Sequence, residues 1–318
     1  MSDKSPAISV IMSVFNGEKY LREAIDSILS QTFADFEFII VNDSSTDSSL
    51  DIIQGYKDKR IRLINNETNI GLTRSLNKAM GQAAGELVAR QDADDVSLPE
   101  RLGEQVKYLG AHSEIALLGT GVCLMDGEGR ELASQAATEN PATKLLQFNQ
   151  FTHGSVMFRK PVIGELGGYN ELFRYCQDYE LWLRIAQQHQ VANLPQPLYK
   201  LRYHHENIRQ RHRDESELYR LLAIRLARGN ADEELMAAVR DKGIKSFIPY
   251  MDKNERVFYH KALGFMHLQN GDVKLARQEY LNVLKLNPFD GKNILNIIIS
   301  FLGRGVRNRA YRLYERFN

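Results

Sequence analysis

A chain of 318 residues has room for one large domain and a smaller one, and its 43% hydrophobic and 25% charged residues are those of a globular protein. A net charge of +1 excludes a chain held to nucleic acid by phosphate attraction, and two distant cysteines, Cys123 and Cys176, exclude a disulfide framework or zinc knuckle and fit a reducing compartment. Residues 1–6 carry no apolar signal segment, and no run reaches the roughly 18–20 apolar residues that span a bilayer, so the expectation is a cytoplasmic protein.

Residues 7 to about 95 alternate apolar runs with helical patterns, the signature of parallel α/β construction. Ile8 to Val14 reads as a first strand, followed by Asn16 as the cap of a helix with an apolar stripe at Tyr20, Leu21, Ala24, Ile25, Ile28 and Leu29. Phe36 to Val41 is a second strand, apolar enough to be covered on both faces. It runs into the polar loop Asn42 to Asp47 and a helix with Ile52, Ile53 and Tyr56. Ile61 to Ile64, a helix after Gly71, and Leu87-Val88-Ala89 complete the set. That last strand delivers Asp92 and Asp94 to a carboxyl edge, where open α/β sheets bind ligands.

Further on, a helix starts at Pro99 and Ile115 to Leu118 reads as a strand. Asp126-Gly127-Glu128-Gly129 reads as a hairpin turn, Val156 to Phe158 as a strand and Asp178 to His189 as a helix. Pro195 and Pro197 bound a last short strand, Leu198 to Tyr203. These readings divide the chain into 1–213 (a nucleotide-binding part, 1–97, and an acceptor part, 98–213) and an all-helical region, 214–318. Within the latter, Leu263-Gly264-Phe265, Ala276, Tyr280 and Pro288 resemble one tetratricopeptide-type hairpin at about 256–288.

Two carboxylate clusters carry the chemistry. Asp92, Asp94 and Asp95 repel one another unless a cation sits among them, and hard divalent cations prefer such oxygens. On an extended segment Asp92 and Asp94 point the same way, although a plain acidic turn capping the next helix has the same composition. Gln177-Asp178-Tyr179-Glu180 opens a helix, where the macrodipole favours ionised carboxylates and suits a general base. The pair suggests group transfer from a metal-bound nucleotide donor.

Residues 7 to about 205 resemble the inverting family 2 glycosyltransferases of GT-A fold. The resemblance rests on Ile8–Ser13 with Phe15-Asn16-Gly17, on Ser30-Gln31-Thr32-Phe33, and on Val41-Asn42-Asp43-Ser44-Ser45. It continues through Asn69-Ile70-Gly71, Asp92-Ala93-Asp94-Asp95 with Pro99-Glu100-Arg101-Leu102, and Gln177 to Trp182. What it implies is an α/β fold with a mostly parallel sheet and transfer of a sugar with inversion, aided by Mn²⁺ or Mg²⁺. The donor would be a UDP- or dTDP-sugar, and the acceptor a glycan or lipid-linked saccharide of bacterial surface polysaccharide synthesis.

The resemblance also assigns residues. Asp43 would read a pyrimidine imide N–H, unless it serves an Asx turn, and Ser13 would approach the base. Asp92 would contact the ribose and Asp94 the metal, while Arg90 lies along the nucleotide or pairs with Asp92. Asp178 is the catalytic base. His153, Gly154, Glu180 and Trp182 fall on the acceptor side, with Trp182 open between a sugar platform and the core. His204 aligns with a histidine that some relatives place near the metal, and surface placement is its alternative. Arg209, Arg211, His212 and Arg213 could clamp the diphosphate or lie solvated.

A sugar nucleotidyltransferase is disfavoured by the loop Val14-Phe15-Asn16-Gly17-Glu18, which has one glycine and an acid where a triphosphate needs glycines and cations. A scaffold with a vestigial transferase domain is disfavoured by intact Asp43, Asp92, Asp94 and Asp178. The apolar run Ile294 to Leu302, followed by Arg304, Arg307, Arg309, Arg312 and Arg316, is too short to span. It suits either packing on the hairpin or, through 294–318, peripheral contact with an anionic membrane surface.

Overall fold

Strands buried on both faces read as apolar runs and pair in parallel when helices cross over them. In the computed structural model, which describes residues 5–138, 140–203 and 212–301, the first part of the chain does this. The chain divides into two units, Met1–Asn207 and Ile208–Asn318.

In the first unit, β1 (Ile8–Val14) pairs in parallel with β2 (Phe36–Asn42) and β4 (Leu87–Arg90), and β2 with β3 (Ile61–Asn65). Helices α1 (Leu21–Leu29), α2 (Ser49–Gly55) and α3 (Leu72–Gln82) make the crossovers. All seven residues of β2 are buried, as its composition requires. The stripe Leu21, Ala24, Ile25 and Ile28 of α1 packs into the main core with Val10, Phe38 and Ile40. Each such side chain contributes about 1.5–3 kcal/mol on burial.

The sheet then turns antiparallel. β8 (Met157–Arg159) lies between β4 and β6 (Ile115–Asp126), antiparallel to both. β9 (Gln190–Tyr203) runs parallel to β6, and short β5 (Val96–Ser97) closes the order β3-β2-β1-β4-β8-β6-β9-β5. β7 (Glu131–Gln135) pairs with β6 through the hairpin expected at Asp126, whose carboxylate accepts the N–H groups of Glu128 and Arg130. Helix α4 (Arg101–Ala111), short α5 (Ala142–Leu145) and α6 (Lys160–Glu165), and α7 (Gln177–Gln188) complete the unit.

Two expectations are corrected here. The strand read as Leu198 to Tyr203 begins at Gln190 and runs through both prolines. The β6–β9 register shifts at Thr120/Gly121, opposite Leu194 and Pro197, so the missing proline N–H groups fall at an irregularity. Gly121 permits it, because a Cβ there would lie 2.6 Å from the Pro195 carbonyl oxygen. Asn16 is not a helix cap. It sits at φ 52° ahead of a helix that starts at Leu21, and its side-chain oxygen accepts the Thr46 N–H at 2.8 Å, tying the loop after β1 to the loop after β2.

The second unit is helical: α8 (Arg213–Ala227), α9 (Glu233–Lys242), a 3-10 turn (Ile244–Tyr250), α10 (Lys253–Asn270), α11 (Val273–Leu286) and α12 (Gly291–Ser300). Asp252 and Glu255 form a capping box at the start of α10. Helices α10 and α11 form a hairpin over a small core of Leu268, Ala276 and Tyr280, with Val273 and Ile297 against it. Gly264 is required there, since a Cβ would come within 2.5 Å of the Tyr280 ring. The apolar run of α12 is divided. Ile299 is buried and Ile297 packs on the hairpin core, while Ile298 and Phe301 are 56% and 67% exposed. Among the described residues no helix is long and apolar enough to cross a membrane. Residues 302–318, with the arginines singled out in the sequence, lie outside the described residues.

Candidate active site

Parallel pairing brings the carboxyl ends of β2, β1 and β4 side by side, with Val14 opposite Asn42 and Ile11 opposite Arg90. Ser13, Asp43, Asp92 and Asp94 therefore share one edge. Ser13 is half-buried at the end of β1. Asp43 is buried, and its carboxylate accepts the Asn66 side-chain N–H at 2.8 Å and the backbone N–H groups of Ile70 and Gly71 at 2.9 Å. An ionised carboxylate has about four acceptor sites, so one remains for a ligand. The other three fasten the loop that starts α3, where Gly71 holds φ 87°.

The acidic turn after β4 stands on buried cations. Arg90 is fully buried and donates to Asp92 Oδ1 at 2.6 Å and to the Gln91 carbonyl. Of the two roles open to Arg90, the ion pair is the one formed. Asp92 remains partly exposed at 28%, and its backbone N–H reaches the Tyr199 hydroxyl at 3.2 Å. Gly154 makes this arrangement possible, because a Cβ there would collide with that hydroxyl and lie 2.8 Å from Asp92 Oδ2. Asp94 is half-buried, and its carbonyl accepts from Arg202 Nε at 2.7 Å. Asp95 faces inward, accepting the Arg202 backbone N–H at 2.7 Å and a hydrogen bond from Tyr199. Burial first, then the charges of Asp94 and Asp92, raises its carboxyl well above the usual range. Arg101, also fully buried, donates to the carbonyls of Arg90 and Gly154 and is lowered to about 10 by burial.

Among the described residues no group of three or more His, Cys, Asp or Glu converges to hold a metal. Asp92 and Asp94 offer the one or two carboxylates with which Mg²⁺-type ions are held when a substrate's phosphates and water complete the shell. The donor chemistry fits. His204, Arg209 and Arg211 lie outside the described residues, and His212 is exposed.

The second cluster lies at the start of α7. Asp178, in its first turn, is half-buried, and its Oδ2 accepts from the Asn149 side chain at 2.9 Å. The Asn149 oxygen in turn accepts the Phe151 N–H at 3.0 Å, which fixes the amide's orientation. His153, on the turn before β8, packs against Tyr169 and Trp182. Burial first, then Arg90, lowers its imidazole to about 4 against the opposing pull of Asp178 and Asp92. The ring is thus neutral at pH 7, paired through Nε2 with the Tyr169 hydroxyl at 2.9 Å.

Trp182 and Glu180 are both buried. Trp182 is fully buried, its ring 6.1–6.4 Å from those of Phe151, His153, Phe158 and Tyr169, so it supports His153 from within the core. Glu180 is buried in a pair with Arg184 at 2.7 Å, and Arg184 also donates to the Leu166 and Gly168 carbonyls. The cleft of about 500 Å³ beside them, lined by Asn77, Gly168, Tyr169, Asn170, Glu180 and Arg184, has its polar side chains already paired with protein groups. Asn149, Tyr169, Tyr199 and the role of Arg202 are additions from the structure. Tyr199 and Arg202 both stood inside the strand read at Leu198 to Tyr203, where nothing in the sequence marked them as site residues.

The sequence profile of glycosyl transferase family 2 matches residues 9–167, which include the acidic turn and end before Asp178. The amylovoran biosynthesis glycosyltransferase AmsE of Erwinia amylovora is 34% identical over 227 residues, covering 67% of this chain and 84% of AmsE. The O-antigen biosynthesis glycosyltransferase WbnJ of Escherichia coli is 38% identical over 190 residues, covering 56% of this chain and 71% of WbnJ. In fold the chain is similar to S. aureus TarS 1-349 in complex with UDP, with a TM-score of 0.58 at 20% identity over 96% of this chain and 91% of that one. A mannosyltransferase from Pyrobaculum calidifontis, solved with GDP-Man and Mn²⁺, gives a TM-score of 0.55 at 17% identity over 89% of this chain and 76% of that one. With its GT-A type sheet, its acidic turn on the carboxyl edge and these relatives, the chain belongs to glycosyl transferase family 2 and is a glycosyltransferase.

Proposed function

We propose that the protein transfers a sugar, with inversion and with a divalent cation, from a UDP- or dTDP-sugar to a hydroxyl of a glycan or lipid-linked acceptor in bacterial surface polysaccharide synthesis. The observation that carries this reading is the gathering of Ser13, Asp43, Asp92 and Asp94 on one carboxyl edge of the sheet, with a further carboxylate, Asp178, in the first turn of α7. The names of AmsE and WbnJ support the polysaccharide class. TarS solved with UDP-GlcNAc and the mannosyltransferase solved with Mn²⁺ support a nucleotide-sugar and a metal.

On this reading Asp43 receives the imide N–H of the base on its remaining acceptor site, beside Ser13. Asp92 receives a ribose hydroxyl while Arg90 holds its carboxylate in place. Asp94 would hold Mn²⁺ or Mg²⁺ where the diphosphate binds, and the ion would supply stabilisation of negative charge on the leaving group. Asp178 takes the proton from the acceptor hydroxyl as its oxygen attacks the anomeric carbon. The new C–O bond forms opposite the C–O bond to the diphosphate, which breaks and leaves with its electron pair. Asn149 keeps the Asp178 carboxylate aimed, and the neutral His153–Tyr169 pair adds no cation to compete with it.

The hairpin α10–α11 is read as one tetratricopeptide-type unit. Screening UDP-, dTDP- and GDP-sugars for Mn²⁺-dependent thermal stabilisation and hydrolysis tests the donor assignment. Stabilisation by a uridine or thymidine donor alone supports it, and stabilisation by GDP-sugars alone overturns it.

A further inference from the structure

Beside Arg90 and Arg101, a third buried arginine underpins the acidic turn. Arg202, at the end of β9, is 2% exposed and spends its whole guanidinium on fixing backbone and neighbours. Its Nε donates to the Asp94 carbonyl at 2.7 Å, one terminal nitrogen to Glu23 Oε2 on α1 at 2.5 Å, and the other to the Asp126 carbonyl at 3.4 Å. Its own backbone N–H holds Asp95 Oδ1 at 2.7 Å, and its plane lies 4.4 Å from the Tyr20 ring centroid. Burying a cation costs several kcal/mol unless its fork is well satisfied, so an apolar residue would serve packing alone at least as well. Here the planar fork fits the Asp94 carbonyl and the Glu23 carboxylate together, which an ammonium does not.

We propose that Arg202 is the positioning residue for Asp94: from the far end of the sheet it locks the backbone of the acidic turn to α1, so that the Asp94 carboxylate is aimed before the donor arrives. The inference rests on the reading of Asp94 as the metal-holding carboxylate. It separates metal-dependent from metal-independent nucleotide affinity, because Asp43 and Ser13 lie on other strands.

The test is calorimetric titration of UDP, with Mn²⁺ and with EDTA, into wild type and the variants Arg202→Met, Arg202→Lys, Glu23→Gln and Asp94→Ala, each checked for folding by circular dichroism. Arg202→Met is expected to lower the Mn²⁺-dependent affinity at least tenfold and leave the EDTA isotherm unchanged. Arg202→Lys keeps the charge without the fork and should lose severalfold, which keeps the inference testable if the methionine variant does not fold. Glu23→Gln still offers an acceptor oxygen and should change less than threefold. If Asp94→Ala loses Mn²⁺-dependent affinity while both Arg202 variants keep it, the positioning role is overturned alone. Equal loss with and without Mn²⁺ in those variants overturns it too, as general damage. If Asp94→Ala keeps the affinity, the metal reading falls and this inference with it.

Discussion

With Asp94 read as the metal-holding acid and Asp178 as the base, the donor and acceptor edges of the transferase unit are built differently. On the donor edge the acids are tied to the buried frame: Asp43 by three N–H groups, Asp92 by a fully buried arginine, and Asp95 by the Arg202 N–H. On the acceptor edge the half-exposed carboxylate of Asp178 is held by the amide of Asn149, itself placed on the connection between α5 and the His153 turn. A diphosphate and a metal present the same charges whatever sugar they carry, so a rigid cradle suits them. An acceptor differs from enzyme to enzyme, and a base held from an irregular loop leaves room for that difference.

The contrast is broken most severely at the base. Asp178→Asn keeps the size and the contact with Asn149 but takes no proton, so kcat should fall on the order of 10²–10⁴-fold with donor affinity near wild type. Steady-state transfer assays with donor titration measure both, and a near-normal kcat would move the base elsewhere. On the donor edge, Gly154→Ala drives a methyl group into the Tyr199 hydroxyl and against Asp92. Overpacking of this kind costs about 1–3 kcal/mol, and the same variant should lose Mn²⁺-dependent UDP binding because Asp92 must shift. An unchanged melting temperature and isotherm would show that the cradle is looser than described.

Subtler tests sharpen it. His153 is held neutral, with its folded value at about 4 against 6.5 for an unconstrained imidazole. The unfolded chain therefore binds the extra proton first, and stability should fall as pH drops from about 6.5 towards 4, by up to roughly 3 kcal/mol. Denaturation at pH 7.5 and 4.5 should show this loss in wild type and a smaller one in His153→Gln; equal losses would remove the imidazole from the account. Asn149→Ala should lower kcat roughly tenfold, about 1.4 kcal/mol of aim on the base, with donor affinity intact. Loss of donor affinity instead would place Asn149 on the wrong edge. The smallest effect is expected at the surface. If Ile298 and Phe301 contact membrane, flotation with anionic liposomes should weaken on removal of residues 303–318. Flotation indifferent to lipid charge and to the truncation leaves packing as the role of α12.

Strands β1 and β2 were legible because doubly covered parallel strands must be largely apolar, and the carboxyl edge of such a sheet is where Asp92 and Asp94 were expected. The full length of β9 was not, because two prolines ordinarily end a strand and only the register shift against β6 accommodates them. Asn16 has the residue type of a cap, yet its partners stand thirty positions away on another loop. Separations of 29 and 108 positions hide Asn149 from Asp178 and Arg202 from Asp94, since nothing local marks a contact formed only when the sheet closes. Trp182 has the spacing of a core residue and the chemistry of a sugar platform, and burial decides for the core.

The most direct measurement sets the two edges against each other in one titration: UDP with Mn²⁺ into wild type, Asp94→Ala and Asp178→Asn. The account predicts a wild-type isotherm for Asp178→Asn and loss of the Mn²⁺-dependent part for Asp94→Ala. A wild-type isotherm for Asp94→Ala, or equal loss in both, would contradict it.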